Sequence, residues 1–364
     1  MTASFDSEMM QRCLRLARCA EGRTAPNPMV GAVIVKEGQV IGEGFHPGAG
    51  QPHAEVFALR QAGEVARGAT AYVSLEPCNH FGRTPPCSQA LIKAGVARVV
   101  VGMVDPNPLV AGSGLQTLRD AGIEVAVGVE EEACQQLNEA FVYRILHQQP
   151  FGLLKYAMTL DGKIAASSGH SAWITQPESR SWVHQLRVAC DAVIVGGSTV
   201  RQDDPLLTTH QANGPDPLRV VMSRSLDLPE RSRLWTVDKV QTVVFTMEEM
   251  QASQQWRSLE AKGIELVALP TLTPRAVMQN LYARGFLSVL WECGGTLAAA
   301  AIADGSIQKV MAFIAPKIIG GSGFSPVGEL GLSQMDQALN LERVTWKNLG
   351  TDFLIEGYLS SALQ

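Results

Sequence analysis

Pro52-His53-Ala54-Glu55, followed by Glu76-Pro77-Cys78 and then by Cys87, is the stretch from which the rest of the chain can be interpreted. The histidine stands at the start of a predicted helix, and eight residues separate the two cysteines. One imidazole and two thiolates are good zinc ligands, and three protein ligands with an open fourth position are typical of a catalytic zinc site. A His-x-Glu with a later Pro-Cys is also the signature of zinc-dependent nucleobase deaminases, in which the glutamate moves protons. The residue types and their order therefore predict His53, Cys78 and Cys87 as zinc ligands and Glu55 as the proton shuttle, although the deaminase signature has two residues between its cysteines and not eight.

Both cysteines lie just before predicted helices. Because helix N-termini favour the thiolate form, which is the form that binds metals, this position supports their assignment as ligands. The alternative is a structural zinc site, which needs a fourth ligand, and His80 is the only obvious candidate. That alternative leaves Glu55 unexplained. The loop between the cysteines also carries Arg83, and a basic side chain beside the site favours a phosphorylated small molecule over a nucleic acid.

Composition bounds the class of protein. The chain has 364 residues, which at about 150 residues per domain predicts two domains. Hydrophobic residues make up 46% and charged residues 18%, which suits buried cores and shows no signature of disorder. The formal net charge of −5 disfavours a nucleic-acid partner held by bulk charge. We see no secretory signal and no apolar run near the roughly 20 residues that span a bilayer, and seven cysteines do not suggest a disulfide scaffold. We therefore expect a cytoplasmic protein without a membrane partner.

Strands and helices alternate along most of the chain, which predicts sheets covered by helices. A polar segment that ends in Pro150 places the boundary after residue 147, giving domains 1–147 and 148–364. In the first half we expect a helix over 8–20 capped by Asp6 or Ser7, and one helix over 130–146. In the second half we expect a helix over 249–262 and a C-terminal antiparallel hairpin that turns at 349–352.

Two glycine turns of the second half follow predicted strands, Gly196-Gly197-Ser198-Thr199 and Glu292-Cys293-Gly294-Gly295-Thr296. Such turns let a phosphate approach backbone amides, although strand-to-helix turns also carry glycine for steric reasons alone. The Gly-x-Gly-x-x-Gly dinucleotide fingerprint is absent from this half. Lys155 and Glu292 stand in or beside apolar strands, where a charge is costly unless it is used or paired.

Longer motifs surround the predicted zinc ligands. They are the stretches 25–31, 46–50, 52–55, 76–87, 105–108 and 110–112. These motifs resemble the bifunctional deaminase/reductase family of riboflavin biosynthesis. The resemblance implies a cytidine-deaminase-like fold and removal of the 2-amino group of 2,5-diamino-6-ribosylamino-4(3H)-pyrimidinone 5′-phosphate as ammonia. It also implies that Asn27 and His46 contact the substrate and that Arg83 meets its phosphate, although two flanking prolines equally explain Asn27 as a fixed loop residue.

The second half resembles the reductase domain of the same family through the stretches 154–163, 173–175 and 199–208. This implies a dihydrofolate-reductase-like fold, NADPH as cofactor and reduction of a ribosyl group to ribityl. The cofactor-binding residues that it implies are Ala157, Trp173, Thr199, Asp203, Gly294, Gly295 and Thr296. The substrate-binding residues that it implies are Ser171, Arg187, Leu207 and Glu292. Lys155 and Glu292 are the candidate catalytic residues. Three of these residues also have a structural alternative. Trp173 would lie in the core, Asp203 would cap a helix or turn, and Arg187 would lie on a solvated helix face.

Two positions depart from the family pattern. His210 stands where the family commonly has an arginine that would help to hold the substrate phosphate, and Met222-Ser223-Arg224 stands where Asp-Ser is usual after the preceding strand. Arg224 is a candidate replacement charge for the cofactor. A deaminase whose reductase-like domain no longer reduces is therefore one alternative, and a non-enzymatic zinc or nucleic-acid-binding module is another. We expect a homo-oligomer.

Overall fold

The computed structural model describes residues 3–80, 85–108, 110–210 and 212–360. The chain forms two compact units, Met1–Gln148 and Gln149–Gln364. This division lies one residue beyond the boundary that the polar segment suggests.

Unit 1 is a five-stranded sheet between two layers of helices. Its strands are β1 (Gly31–Lys36), β2 (Gln39–Phe45), β3 (Thr70–Leu75), β4 (Arg98–Met103) and β5 (Glu124–Val127), in the order β2-β1-β3-β4-β5. Its helices are α1 (Ala3–Arg18), α2 (Ala54–Ala62), α3 (Cys87–Ala94), α4 (Ser113–Asp120), α5 (Glu131–Leu137) and α6 (Glu139–His147). β1 is antiparallel to both of its neighbours, whereas β3, β4 and β5 are parallel. The expected cytidine-deaminase-like class is confirmed.

Both faces of this sheet are buried, and β1 shows why. Ala32 and Ile34 belong to the apolar cluster shared with α2, whereas Val33 and Val35 belong to the cluster shared with α1. Successive strand residues point to opposite faces, so an unbroken apolar run fills two cores.

Helix α2 lies directly against β2 because two glycines of the strand face it. A Cβ on Gly42 would lie 2.2 Å from the carbonyl oxygen of Ala58, and one on Gly44 would lie 2.8 Å from that of Ala54. Since neither position has room for a side chain, the two glycines fix the height of α2 above the sheet. They thereby fix His53 and Glu55 at its first turn.

Two local predictions in unit 1 are wrong. Helix α1 begins at Ala3, so Asp6 is not its cap; its buried carboxylate accepts hydrogen bonds from Arg98 at 3.0 and 2.9 Å and from Tyr72 at 2.7 Å. The single helix over 130–146 is two helices that meet at Asn138. The Asn138 amide is buried and exchanges two 2.9 Å hydrogen bonds with the backbone of Met29, a contact that no local pattern indicates.

Unit 2 is built on a nine-stranded sheet. Its strands are β6 (Phe151–Thr159), β7 (Ala192–Gly196), β8 (Leu218–Met222), β9 (Thr242–Met247), β10 (Glu265–Leu269), β11 (Ser288–Trp291), β12 (Lys309–Ala315), β13 (Leu341–Leu349) and β14 (Asp352–Leu359). Its helices are α7 (Pro177–Ala189), α8 (Gly197–Asp203), α9 (Gln254–Glu260), α10 (Pro274–Ala283) and α11 (Gly295–Ala303). The helix expected over 249–262 is a 3-10 turn, Glu248–Ala252, followed by α9, because the Ser253 hydroxyl caps a new helix start.

The strand order is β10-β9-β8-β7-β11-β6-β12-β14-β13. The strands from β10 to β12 are parallel, and the predicted C-terminal hairpin β13–β14 adds antiparallel to β12. The chain moves from β7 towards β10 and then, from β11, in the opposite direction to β12. The carboxyl ends of β7 and β11 therefore border a topological switch point, where open α/β sheets bind their ligands.

Candidate active sites

The three predicted zinc ligands meet at one point of unit 1. His53 is the N-cap of α2, Cys78 follows β3, and Cys87 is the first residue of α3. The Nδ1 atom of His53 lies 3.5 Å from the Sγ of Cys78 and 3.3 Å from that of Cys87, and one ligand atom from each residue lies within 4.8 Å of the others. His80 is not a member of this group, so the described residues offer three zinc ligands rather than a closed set of four.

The position of Cys78 corrects one expectation. No helix of the described residues begins directly after Cys78. Tertiary structure supplies the helix end instead, because the backbone N–H of Cys87 at the start of α3 donates to the Cys78 Sγ at 3.3 Å. The pKa of Cys78 falls to about 4, first because of the hydrogen bond with Cys87 and also because of His53, whereas the adjacent Cys78 sulfur raises the pKa of Cys87. The two sulfurs favour one negative charge even before a cation is considered.

Glu55 lies beside these ligands in the first turn of α2. Its side chain is buried, and its Oε2 has no hydrogen-bond partner. Burial raises the pKa of Glu55 to about 6. A buried carboxylate oxygen without a partner is rare unless a ligand or a metal-bound water completes it. The donor set and this free oxygen both fit a catalytic zinc ion.

Glu76, which the sequence did not single out, anchors the loop that carries Cys78. Its buried carboxylate accepts hydrogen bonds from Asp105 N at 3.2 Å, from Gly112 N at 2.9 Å and from Gly114 N at 2.9 Å. The approach is close, since a Cβ on Gly114 would lie 2.1 Å from the carbonyl oxygen of Pro77. In the sequence, the one indication of this role was the position of Glu76 directly before Pro77 and Cys78.

Asn27 and His46 form a polar pair next to the ligands. The Nδ1 atom of His46 lies 3.1 Å from the carbonyl oxygen of Pro52, and its Nε2 lies 3.0 Å from the Asn27 Nδ2. A carbonyl oxygen only accepts, so the Nδ1 carries the proton and the Nε2 of the neutral ring accepts from the amide. Burial lowers the pKa of His46, which favours that neutral form. The predicted phosphate contact, Arg83, lies outside the described residues.

Unit 2 brings Lys155, Arg187 and Glu292 together at the switch point. Lys155 lies on β6, Arg187 on α7, and Glu292 directly after β11. The Glu292 carboxylate accepts from Arg187 Nε at 2.6 Å and Nη2 at 3.1 Å, and from Lys155 Nζ at 3.5 Å. Burial alone would raise the pKa of Glu292, but the two cations outweigh it and lower the pKa to about 2. The site therefore holds a fixed carboxylate at any physiological pH.

Both glycine turns lie at the same edge of the sheet. Gly196 precedes α8, and Gly294 is the N-cap of α11 with Gly295 and Thr296 in its first turn. A Cβ on Gly294 would meet nothing within 4 Å, whereas one on Gly295 would lie 2.5 Å from the carbonyl oxygen of Ser325. The start of α11 thus borders open space at Gly294, and the N-terminus of a helix is a position that suits a phosphate.

The remaining predicted residues of unit 2 are distributed around this edge. The hydroxyl of Ser171 donates to Asp203 at 3.1 Å, which brings a predicted substrate residue and a predicted cofactor residue together. Trp173 is 71% exposed, so it is not a core residue, and the Arg180 guanidinium lies 4.7 Å from its ring centroid. Leu207 is buried. Ala157 lies on β6 and Thr199 on α8. Arg224 is exposed just after β8.

Two further residues support this region without a sequence signal. The Asp352 carboxylate of the hairpin accepts from Gln176 N and from the Ser179 hydroxyl, both at 2.7 Å, and so caps α7 from a distance of 176 residues along the chain. The ammonium of Lys317 donates to the carbonyl oxygen of Trp173 at 2.7 Å. Both contacts fix backbone next to predicted ligand-binding residues.

Fold and sites together define a two-domain enzyme, a zinc deaminase domain followed by a nucleotide-dependent reductase domain. Residues 3–103 match the family model "Cytidine and deoxycytidylate deaminase zinc-binding region", and residues 150–355 match the model "RibD C-terminal domain". The riboflavin biosynthesis protein RibD of Synechocystis sp. is 61% identical over 355 residues, which are 97% of this chain and 96% of that protein.

Two solved structures extend the comparison. Acinetobacter baumannii RibD, form 1, superposes with a TM-score of 0.88 at 39% identity and covers 99% of this chain and 100% of that chain. A Thermotoga maritima structure, described as a diaminohydroxyphosphoribosylaminopyrimidine deaminase/5-amino-6-(5-phosphoribosylamino)uracil reductase, gives 0.87 at 36% identity, with 98% of this chain and 99% of that chain covered.

The chain belongs to the RibD family of bifunctional riboflavin-biosynthesis enzymes. It is a deaminase and a reductase, with Zn²⁺ and NADPH as cofactors, as the zinc-ligand motif and the family resemblance implied. The alternatives of a deaminase without reduction and of a non-enzymatic module are not favoured. Among the described residues, no helix combines the length and the apolar character that crossing a membrane requires.

Proposed function

We propose that unit 1 hydrolyses the 2-amino group of 2,5-diamino-6-ribosylamino-4(3H)-pyrimidinone 5′-phosphate, and that unit 2 reduces the ribosyl group of the product to ribityl with NADPH. The observation that carries this proposal is the unpartnered Oε2 of buried Glu55 beside three converging zinc ligands. The same chain places a second buried carboxylate, Glu292, between two cations at the switch point of the other unit.

In unit 1, His53, Cys78 and Cys87 would hold the zinc ion. Zinc bound there would lower the pKa of a water molecule to about 7 and so supply a nucleophile at neutral pH. Glu55 would take a proton from the attacking water on its free Oε2 and deliver it to the amino group, which would leave as ammonia while the water oxygen replaces it on the ring carbon. The Asn27–His46 pair positions the pyrimidine ring, and Arg83 would meet the phosphate.

In unit 2, Gly294, Gly295 and Thr296 would hold phosphates of NADPH, with Ala157, Trp173, Thr199 and Asp203 along the rest of the cofactor. NADPH held there would supply a hydride for the imine carbon of the ring-opened ribosylamine. Glu292 accepts hydrogen bonds from sugar hydroxyls, Lys155 orients the sugar and provides a proton, and Arg187 holds the Glu292 carboxylate in place. Ser171 and Leu207 complete the substrate side of this site.

A two-stage assay tests the function. The purified chain is given the diamino pyrimidinone phosphate, and ammonia release is followed without NADPH. NADPH is then added and its absorbance is followed. We expect one ammonia per substrate and then one NADPH oxidised per deaminated product. Ammonia release without later NADPH oxidation contradicts the role of unit 2.

Zinc content gives a separate prediction. We expect about one zinc ion per chain, because the described residues offer one three-ligand group. Cys87→Ser should lower the bound zinc at least tenfold and abolish ammonia release, whereas Cys19→Ser, which changes an exposed cysteine of the same unit, should do neither. Metal analysis after dialysis checks both variants. Full zinc retention in Cys87→Ser would remove that residue from the ligand set.

We further propose that the chain forms a homodimer through β13. This nine-residue edge strand is almost entirely exposed and carries Trp346, 75% exposed, with Phe353 exposed on the neighbouring strand. A long edge strand with apolar side chains pairs readily with another chain. Light scattering after size exclusion should give twice the chain mass for the wild type and one chain mass for Trp346→Asp; a monomeric wild type contradicts the proposal.

The cytoplasmic location and the absence of nucleic acid and membrane among its partners stay predictions from the sequence.

A further inference from the structure

Trp173 is an exposed aromatic residue beside the candidate reductase site. It is 71% exposed, so packing in the core does not hold its ring in one orientation. The ammonium of Lys317 donates to the Trp173 carbonyl oxygen at 2.7 Å, and the Lys317 carbonyl oxygen accepts from the backbone N–H of Leu160 at 2.8 Å. Because Leu160 directly follows β6, these contacts fix the Trp173 backbone at the carboxyl edge of the central strands. They do not fix the ring.

Arg180 on α7 is the residue that holds the ring. Its guanidinium carbon lies 4.7 Å from the centroid of the Trp173 ring, and its Nη1 donates to the carbonyl oxygen of Thr175 at 2.7 Å. A cation over an aromatic face is attracted to it, and tryptophan gives the strongest attraction of this kind. A guanidinium is planar, so it can stack on the ring and donate from its edge at the same time. One side chain thus holds both the ring and the backbone that follows it.

Helix α7 gives Arg180 a fixed base. The Asp352 carboxylate caps its first turn, and Arg187 pairs with Glu292 at 2.6 Å. Arg180 and Arg187 are seven residues apart, which is close to two helical turns, so they share one face of the helix. The same helix therefore sets the position of the Trp173 ring relative to the carboxylate that is proposed to bind the sugar.

We propose that Arg180 is a positioning residue for NADPH: it orders the Trp173 ring before the cofactor binds, and it affects cofactor affinity through that ring. The proposal rests on the proposed function of unit 2, in which Trp173 lies along the cofactor. The guanidinium covers one face of a mostly exposed ring, so the other face is open to a planar group of NADPH. A ring without this contact would sample several rotamers, and binding would have to order it at a cost in affinity.

Calorimetric titration of the full chain with NADPH, without pyrimidine substrate, tests this. Arg180→Met removes the cation and the hydrogen bond, and we expect the Kd of NADPH to rise on the order of tenfold. Arg180→Lys keeps a cation over the ring and should bind within about threefold of the wild type. Arg180→Gln keeps a donor for Thr175 but no charge, so it should bind as weakly as Arg180→Met. If Arg180→Met does not fold, the other two variants decide, since equal binding by them contradicts the proposal.

A double-mutant cycle shows whether Arg180 acts through the ring. Trp173→Leu should itself weaken NADPH binding, and adding Arg180→Met to it should change the Kd by less than about twofold. A general loss of structure would instead weaken binding by the same factor in both backgrounds. An effect of Arg180→Met that is as large in Trp173→Leu as in the wild type therefore overturns the proposal.

The matched control is a second cation over an indole in the same unit. The Lys347 ammonium also lies 4.7 Å from a ring centroid, that of Trp182 on α7, and it has no proposed role in cofactor binding. Lys347→Met should bind NADPH as the wild type does. A tenfold loss in this variant as well would show that any such contact in unit 2 has the same effect, and would contradict a specific role for Arg180.

Kinetics separate this proposal from the proposed function. In reduction assays we expect Arg180→Met to raise the KM of NADPH while the KM of the pyrimidine substrate stays at the wild-type value. A wild type that oxidises NADPH, with an Arg180→Met variant that binds NADPH equally tightly, overturns the role of Arg180 but not the reductase. A wild type that binds NADPH and oxidises none fails the proposed function, and the titrations still decide the role of Arg180.

Discussion

Glu55→Gln is expected to keep its zinc, whereas its rate of ammonia release should fall by a factor of about 10² to 10⁴, the usual contribution of a positioned acid–base group. The amide keeps the shape of the carboxylate but cannot carry a proton from the water to the departing amine. Because the Glu55 Oε2 has no partner within the protein, the substitution breaks no ion pair. The fold and the three ligand positions should therefore survive.

The measurement combines ammonia release with metal analysis of the same sample. Glu64→Gln is the matched control, because Glu64 is an exposed glutamate of the short turn after α2. It should retain wild-type rates and zinc. Turnover at a wild-type rate in Glu55→Gln would end the proposed shuttle role, and loss of zinc would instead assign Glu55 to holding the metal.

Glu292→Gln is expected to slow NADPH oxidation by at least about 100-fold and to leave ammonia release unchanged. The Glu292 carboxylate lies between Lys155 and Arg187, whose side chains are 16% and 11% exposed. Removing its charge leaves two buried cations facing each other, a change that costs about 3–5 kcal/mol in comparable cases. We therefore expect unit 2 to unfold more easily as well.

The stability that Glu292 contributes to unit 2 depends on pH in a definite direction. The pKa of Glu292 is lowered to about 2, so its stabilisation is fully present above the unfolded-state pKa of about 4.3 and disappears as the pH falls towards 2. The difference in unfolding free energy between the wild type and Glu292→Gln should follow that course in urea titrations at several pH values.

Stability and chemistry can be separated. Lys155→Met removes the proposed proton donor but leaves Glu292 paired with Arg187, so it should slow reduction with a smaller loss of stability. Glu356→Gln is the matched control, because Glu356 on β14 also lies between two lysines, Lys309 at 3.9 Å and Lys347 at 3.2 Å, without a proposed role in reduction. Unchanged NADPH oxidation in both Glu292→Gln and Lys155→Met would refute the assignment of the reductase site.

The sequence by itself determined the class of the fold, and it predicted the three residues that meet at the candidate zinc site. Alternating strands and helices, the apolar run of β1 and the C-terminal hairpin depend on residues that are neighbours in the chain, so local patterns predict them. The motif of His-x-Glu, Pro-Cys and a later Cys is also a local pattern, because residues adjacent in the chain identify each predicted ligand. Family resemblance added the reductase residues, of which Lys155, Arg187 and Glu292 do lie together.

Tertiary structure alone decided the contacts that hold these elements in place. Asp6 pairs with Arg98 instead of capping a helix, and Asn138 divides one predicted helix into two by binding Met29. Asp352 caps α7 across 176 residues, and His210 meets His184 only because a loop returns to that helix. In each case a polar group is satisfied by a partner distant in the chain. Local propensity does not specify the hydrogen-bond partner of such a group, because residues distant in the chain become neighbours only when the whole fold forms.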